Sequence, residues 1–438
     1  MTQHISKAVW STADKVLYLS LGLVFILPQK IIGAAPWGFF ATSQAILTIL
    51  FMLADGFALQ IMVNFGVVEE QRKQATSSAM ILYTIFIGLF TLLIWLGRSE
   101  IALLSHKPEL EPVLSLFPLV ALSFWLRNFT LKVAQLHIDT RGTFIIDSAW
   151  VGATILLLIH GQQTGWLVNE IDMMYVTAAS AGVSSLVGVL LYSRRIRFAF
   201  KFDIGLFRQM IRFGFAQFGS AATMGFLAQG DVILLNFLGA NAAVIGNYDV
   251  AKKFFRGFEG IRDAGALFVY PAVARLSAQH RTSELRVLME KMIAFMGIIL
   301  FPVVLMVWIL PIEELFGYVF KGKYEMAPHL VRILSLAALA IPFSMNSYVL
   351  LGMSQVRRLF TATFTTVVVF VSVSALLVPL LGAEGQAWAV VASFWTLGTI
   401  SVIFVRKQIG ISPRRIIGRW RDARDFARSL VKSRRVKS

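Results

Sequence analysis

The chain has 438 residues, of which 57% are hydrophobic and only 15% charged, against about 25% charged in an ordinary soluble domain. A mean hydropathy of +0.71 excludes a water-soluble globule. The absence of cysteine excludes disulfides, thiolate metal sites and cysteine nucleophiles.

Apolar runs of about 20 residues select helices, because barrel strands are about 10 residues long and alternate in polarity. We read twelve spans, at 12–32, 39–64, 77–97, 112–134, 143–160, 173–192, 213–237, 243–270, 291–310, 327–350, 359–381 and 385–405. The segment Met1–Lys15 carries no small-residue cleavage site, so the first span is expected to act as the insertion signal.

Basic residues alternate sharply between the connections. Thirty of the 41 Lys and Arg fall on one side, including the six from Arg194 to Arg212 and the twelve from Arg406 to Lys437; only Lys30, Arg98, Lys107, Lys321 and Lys323 fall on the other. The positive-inside rule therefore predicts that both termini are cytoplasmic. It also explains the net charge of +17 without nucleic acid. The stretch 193–212 divides the chain into an N-lobe at 1–205 and a C-lobe at 206–405, followed by a basic cytoplasmic tail at 406–438. In that tail Ser412-Pro413 opens an expected amphipathic helix. Ile416 and Trp420 lie on its apolar stripe and Arg415 and Arg421 on its basic face, which suits anionic lipid.

The two halves share a pattern. Gly38 precedes Asp55 by 17 residues, and Gly246 precedes Asp263 by the same 17. Gly33-Ala34 matches Gly239-Ala240, and Trp95 and Glu100 match Trp308 and Glu313. Six crossings per half would make these parallel repeats about an axis along the membrane normal, a common plan for transporters.

The eighth span carries the strongest functional signal. Asp249, Lys252, Lys253, Arg256, Glu259, Arg262 and Asp263 place seven charges in 15 residues. Each would cost about 2.5–3.5 kcal/mol at the bilayer centre on insertion scales, so they cannot all face lipid. On a helical projection six of them fall within an arc of about 120°, and Arg262 lies about 60° beyond it. Val250, Phe254, Gly257 and Phe258 occupy the other side. The expected role of the charged face is to line a water-filled cavity that binds an anion. Lys252, Lys253, Arg256 and Arg262 are the candidate ligands, and Asp249 and Glu259 are their charge partners or coupling groups. Arg127 in span four, alone among apolar residues, is either a further cavity ligand or snorkels to the interface. Asp55, Asp231 and Asp263 are candidates for ion coupling or charge pairing. Arg332 reads as an interfacial anchor. No residue pattern calls for a metal or cofactor.

Three stretches carry a family resemblance: Ile32-Gly33-Ala-Ala-Pro-Trp-Gly38-Phe-Phe-Ala-Thr-Ser-Gln-Ala, Leu238-Gly239-Ala-Asn-Ala-Ala-Val-Ile-Gly246-Asn-Tyr248-Asp-Val-Ala251, and Pro271-Ala-Val-Ala-Arg275-Leu276. They resemble the polysaccharide transporter family, the Wzx-type flippases, of the MOP superfamily. The resemblance implies an all-α, V-shaped, MATE-like fold of two six-helix lobes. It implies alternating access, ion coupling, and translocation of undecaprenyl-diphosphate-linked oligosaccharide across a bacterial inner membrane. Membrane lipids and other polysaccharide-assembly proteins are the implied partners, and no enzymatic step is implied. A cation-coupled multidrug exporter of the same superfamily is the alternative, although the net positive eighth span suits it less. A glycan polymerase or ligase would usually present a large external loop, which is absent here. A prenyl transferase would usually carry aspartate clusters for Mg²⁺. A lipid II flippase usually has fourteen spans.

Overall fold

The structure is a computed structural model. It describes residues 9–419 except 15, 18, 19, 21, 23, 197 and 199–202, and the side chains of residues 267 and 268 are outside the description. The described residues form helices and no strand. Lipid demands this, because a helix satisfies its own backbone hydrogen bonds. In chain order the elements are α1 (Ile26–Ile31), α2 (Ala34–Ala54), a π-helical segment (Asp55–Leu59), α3 (Gln60–Phe65), α4 (Glu69–Leu96), α5 (Arg98–Leu104), α6 (Leu110–Ser115), α7 (Phe117–Leu136), α8 (Thr140–Thr164) and α9 (Glu170–Tyr192). Then follow α10 (Ile204–Phe237), α11 (Ala242–Ala278), α12 (Thr282–Ile309), α13 (Ile312–Phe320), α14 (Ala327–Ala338), α15 (Ile341–Ser344), α16 (Asn346–Gly352), α17 (Val356–Leu381) and α18 (Ala383–Ile409).

Nine helical stretches among the described residues are long and apolar enough to cross a membrane. A further stretch, α14 with α15 and α16, is long and apolar enough when taken together and is bent by 42°. Pro342 explains the bend: it has no N–H to donate, and its ring clashes with the carbonyl of Ala338 four residues back. The eighth span exists as α11, a continuous helix of 37 residues, but its charges keep it out of the apolar set. The first span, read at 12–32, falls partly on residues outside the description. So does most of the tail; its described part is helical over 413–419.

Helix ends follow local chemistry. Asn169 Oδ1 accepts from the Ile171 and Asp172 amides, while Asp172 returns a bond to the Asn169 amide at 3.0 Å, a reciprocal cap that starts α9. Asp203 Oδ1 caps α10 through the amides of Gly205 and Leu206. Gly165, at φ +74°, closes α8 in the left-handed region that glycine tolerates.

The described contacts divide the chain into two compact units. One comprises Met1–Asp249 with Val319–Tyr324, and the other Val250–Tyr318 with Glu325–Ser438. The first unit reaches past residue 205 because α10 packs along α2 and the π segment. Gly56 makes that approach possible: a Cβ there would collide with Ala221, and one at Gly214 with the Phe57 carbonyl. Phe57 closes the seam edge-on against Phe215 and Phe218, with ring centroids 5.2 and 6.4 Å away.

Candidate functional site

In the first unit, the start of α11 crosses α2 at two glycines that the repeat pairs, Gly38 and Gly246. A Cβ on Gly38 would run into the Ala242 carbonyl, and one on Gly246 into the Ala34 carbonyl. The Gly246 amide nitrogen lies 3.1 Å from the Gly38 Cβ position, and the Gly38 nitrogen 3.2 Å from that of Gly246. Ala34-x-x-x-Gly38 and Ala242-x-x-x-Gly246 thus meet as small-residue faces that bring two backbones together. Residues equivalent in the repeat contact each other, as residues beside a two-fold axis do. Beside the crossing, the Trp37 indole donates to Asp249 Oδ2 at 2.9 Å, and the Tyr248 hydroxyl to Asp231 Oδ2 at 2.8 Å. Asp231 also accepts from the Val232 amide at 2.8 Å. Both acids are buried and both are held by aromatic donors.

Asp55 sits on the first turn of the π segment, a feature often found at functional positions. Its carboxylate lies 2.8 Å from Lys132 Nζ on α7 and accepts from Gln60 Nε2 at 3.1 Å. Arg127 is not alone among apolar residues. It is 4% exposed and forms a buried ion pair with Asp147 of α8. Its guanidinium lies 4.5 Å from the centre of the Trp150 ring and 5.7 Å from that of Phe124. A buried guanidinium needs such a partner; it came from the next helix, which single-span reasoning does not see. In this arrangement Arg127 does not snorkel.

The second unit holds the charged turns of α11. Lys252 is 7% exposed, Lys253 half-buried, and Arg256 and Asp263 exposed. Val250 and Phe258 are buried, as the projection requires. Phe254 is 36% exposed and Gly257 is exposed, as a face that packs on helices or lipid allows. Within the charged arc Asp249 and Lys252 are buried, whereas Arg256 and Asp263 are exposed. Arg262 lies toward the packed side, where its guanidinium sits 5.9 Å from the Phe394 ring centre. It bridges two acids, Glu259 at 3.5 Å and Asp263 at 3.0 Å. Of the candidate ligands and partners, the structure brings Arg262, Glu259 and Asp263 into one cluster. Arg127 with Asp147 forms a second, and Asp55 with Lys132 a third. Arg332 pairs with Glu313 and donates to the Val307 and Leu310 carbonyls. Among the described residues no group of three or more His, Asp or Glu is placed to hold a metal ion.

Two charged residues outside the candidate set are also built in. Lys107, 7% exposed, donates to Asn236 Oδ1 at 2.8 Å and to the Asn236 carbonyl at 3.1 Å, near the end of α10. Asn236 in turn donates to Ser105 Oγ at 2.7 Å. Burial pushes the Lys107 amine down to about 8. Glu290 of α12 is fully buried and accepts from Arg415 Nε at 2.7 Å, with Arg419 Nε 3.9 Å away. The 125-residue separation between Glu290 and Arg415 leaves no local signal by which such a pair could be found.

The fold has close counterparts. An inward-facing multidrug resistance MATE family transporter of the MOP superfamily matches with a TM-score of 0.74 at 16% identity, over 92% of this chain and 98% of that one. The lipid II flippase MurJ, in an inward closed conformation, matches with a TM-score of 0.71 at 11% identity, over 95% of this chain and 90% of that one. The Vibrio cholerae MATE transporter VcmN, in its bent form, gives 0.60 at 13% identity, over 95% of this chain and 97% of that one. No curated protein sequence matches the chain significantly. The family described as polysaccharide biosynthesis protein matches residues 7–276, well over half of the chain. With its multi-pass helices and a fold like that of these transporters, the chain belongs to the polysaccharide biosynthesis protein family.

Proposed function

We propose that the chain is a flippase that moves undecaprenyl-diphosphate-linked oligosaccharide across the bacterial inner membrane by alternating access, for surface polysaccharide assembly. The observation that carries this reading is the charged stretch of α11. Within a membrane-protein fold, Lys252, Lys253 and Arg256 lie on consecutive turns and range from buried to exposed. A diphosphate carries at least two negative charges, and charge-assisted hydrogen bonds from lysine and arginine are the strong ones available to hold it. Arg262, bridging Glu259 and Asp263, is a further candidate. Arg127 serves the same anion only if it can leave Asp147. The acids keep the site from binding so tightly that release fails. Asp231 and Asp249, each accepting from an aromatic donor, and Asp55, paired with Lys132, are the candidates for ion coupling or charge pairing.

The basic asymmetry of the connections supports cytoplasmic termini, with spans 1–6 and 7–12 as the two halves of the carrier. Lipid-linked oligosaccharide is the substrate, and other polysaccharide-assembly membrane proteins are the partners that would supply and consume it. The test is Lys253→Ala with Arg256→Ala at equal protein level. Glycan export should fall, and lipid-linked saccharide should accumulate on the inner leaflet. Unchanged export would refute the anion site. Drug resistance on overexpression with normal surface glycan would favour a multidrug exporter instead.

A further inference from the structure

A second feature of the first unit lies away from all these charges. Between α4 and α7 runs an open cavity of about 540 Å³, walled by Ile87, Leu92, Trp95, Ala121, Leu122 and Trp125. That volume falls within the roughly 300–1,000 Å³ of ligand pockets, but the lining lacks the convergent polar groups of a site for a polar molecule. The Trp125 indole N–H is spent within the wall, on Thr84 Oγ1 at 3.2 Å. Gly88 lies mid-helix on the wall, with no atom within 4 Å of where its Cβ would be. Leu89, Leu93 and Leu119 are exposed on the same two helices, so the surroundings are lipid-facing.

One end of the cavity carries an arginine paired with a glutamate. Trp95 lines it, and the Arg98 guanidinium lies 5.0 Å from the centre of the Trp95 ring. Arg98 is 32% exposed and 3.5 Å from Glu111. It is one of the five Lys and Arg on the side that the basic asymmetry assigns to the exterior. An apolar trough ending at an indole and a guanidinium has the polarity of a lipid whose chain lies in the trough and whose phosphate meets the arginine. The open space over Gly88 leaves room for the methyl branches of an isoprenoid chain. A methyl-branched isoprenoid chain is wider, and its planar double-bond units lie flat on indole faces.

Resting on the flippase reading above, we propose that the α4–α7 trough is a berth for the isoprenoid chain of a polyprenyl phosphate, with the phosphate at Arg98. It would hold the lipid tail outside the transport path while the saccharide is moved.

The test uses the full chain in phosphatidylcholine nanodiscs and a diazirine-bearing polyprenyl phosphate, with cross-links mapped by mass spectrometry. The probe should label residues of α4 and α7 around Ile87 and Leu122. Gly88→Leu fills the hollow and replaces a mid-helix glycine with a better helix former, so the fold is retained. It should cut labelling by about tenfold, the effect of displacing two or more buried methylenes. Gly182→Leu on α9, where the Cβ position is also open, should not. Arg98→Gln should weaken labelling severalfold. Undecaprenyl phosphate should compete and phosphatidylglycerol should not. Labelling elsewhere, labelling unaffected by Gly88→Leu, or equal competition by phosphatidylglycerol would overturn the proposal. Cross-linking requires no transport, so failure of the berth and failure of the flippase reading are separable. Normal export in the Lys253 and Arg256 variants would leave the labelling result standing, and absent labelling would leave the export result standing.

Discussion

Arg127 and Asp147 offer the sharpest separation of scaffold from function. Their side chains are 5% and 3% exposed, so both charges are out of water. Arg127→Met would leave the Asp147 carboxylate buried without its partner, at a cost of about 3–5 kcal/mol. Asp147→Leu would leave the guanidinium on Trp150 and Phe124. There cation–π attraction of about 0.5–2 kcal/mol remains, so this variant should suffer less. Arg127→Met with Asp147→Leu removes both charges at similar volume and should lie near wild type or above it, because the desolvation cost disappears with the pair. The double-mutant cycle should thus return a coupling of several kcal/mol, far above the scatter of about 0.3–0.5 kcal/mol between independent sites. Thermal unfolding in detergent, followed by fluorescence-detected size exclusion, measures all four proteins. The reasoning is refuted if Arg127→Met melts like wild type, or if the double variant is no more stable than the weaker single. Glycan export by the stable double variant then decides the role of Arg127: retained export makes the pair scaffold, and lost export makes Arg127 a substrate ligand.

Gly38→Ala and Gly246→Ala should each lower the melting temperature, by overpacking worth about 1–3 kcal/mol. Together they should cost less than their sum, since one separation of α2 from α11 accommodates both methyls. Additive shifts would mean that the two helices do not share this contact. For Lys107, the folded-state pKa of about 8 lies below the ordinary value of 10.5, so between those values the unfolded chain binds the extra proton. Wild-type stability relative to Lys107→Met should therefore be flat below about pH 8 and rise from there toward about pH 10.5. Melting curves across that range would show a fall instead if the ammonium were stabilised by an anion. Glu290→Gln should weaken the hold on Arg415 and Arg419, and limited trypsin digestion should cut near them severalfold faster than in wild type; an unchanged rate would show that the carboxylate does not anchor this segment.

Several features were legible in the sequence because their signals are local. The apolar runs mark nearly all the spans, since the lipid interior excludes polar residues from lipid-facing positions one segment at a time. The repeat placed Gly38 opposite Gly246 in a pattern, although not at a distance. Its charges marked α11 as unusual among the spans.

The roles of the individual charges were not legible in the same way. A projection of α11 treats the helix as a cylinder in a uniform medium, whereas its neighbours bury Lys252 within the charged arc. Asp147 on the next helix decides the state of Arg127, and Lys132 decides that of Asp55. By itself the sequence determined a multi-pass helical membrane protein with basic residues concentrated in alternate connections and one stretch too charged for lipid, because hydropathy and charge act residue by residue along the chain. Only the tertiary structure decided which of those charges are paired and which are exposed, because a buried ion is stabilised by whatever lies across the helix interface, and that partner is set by packing rather than by spacing.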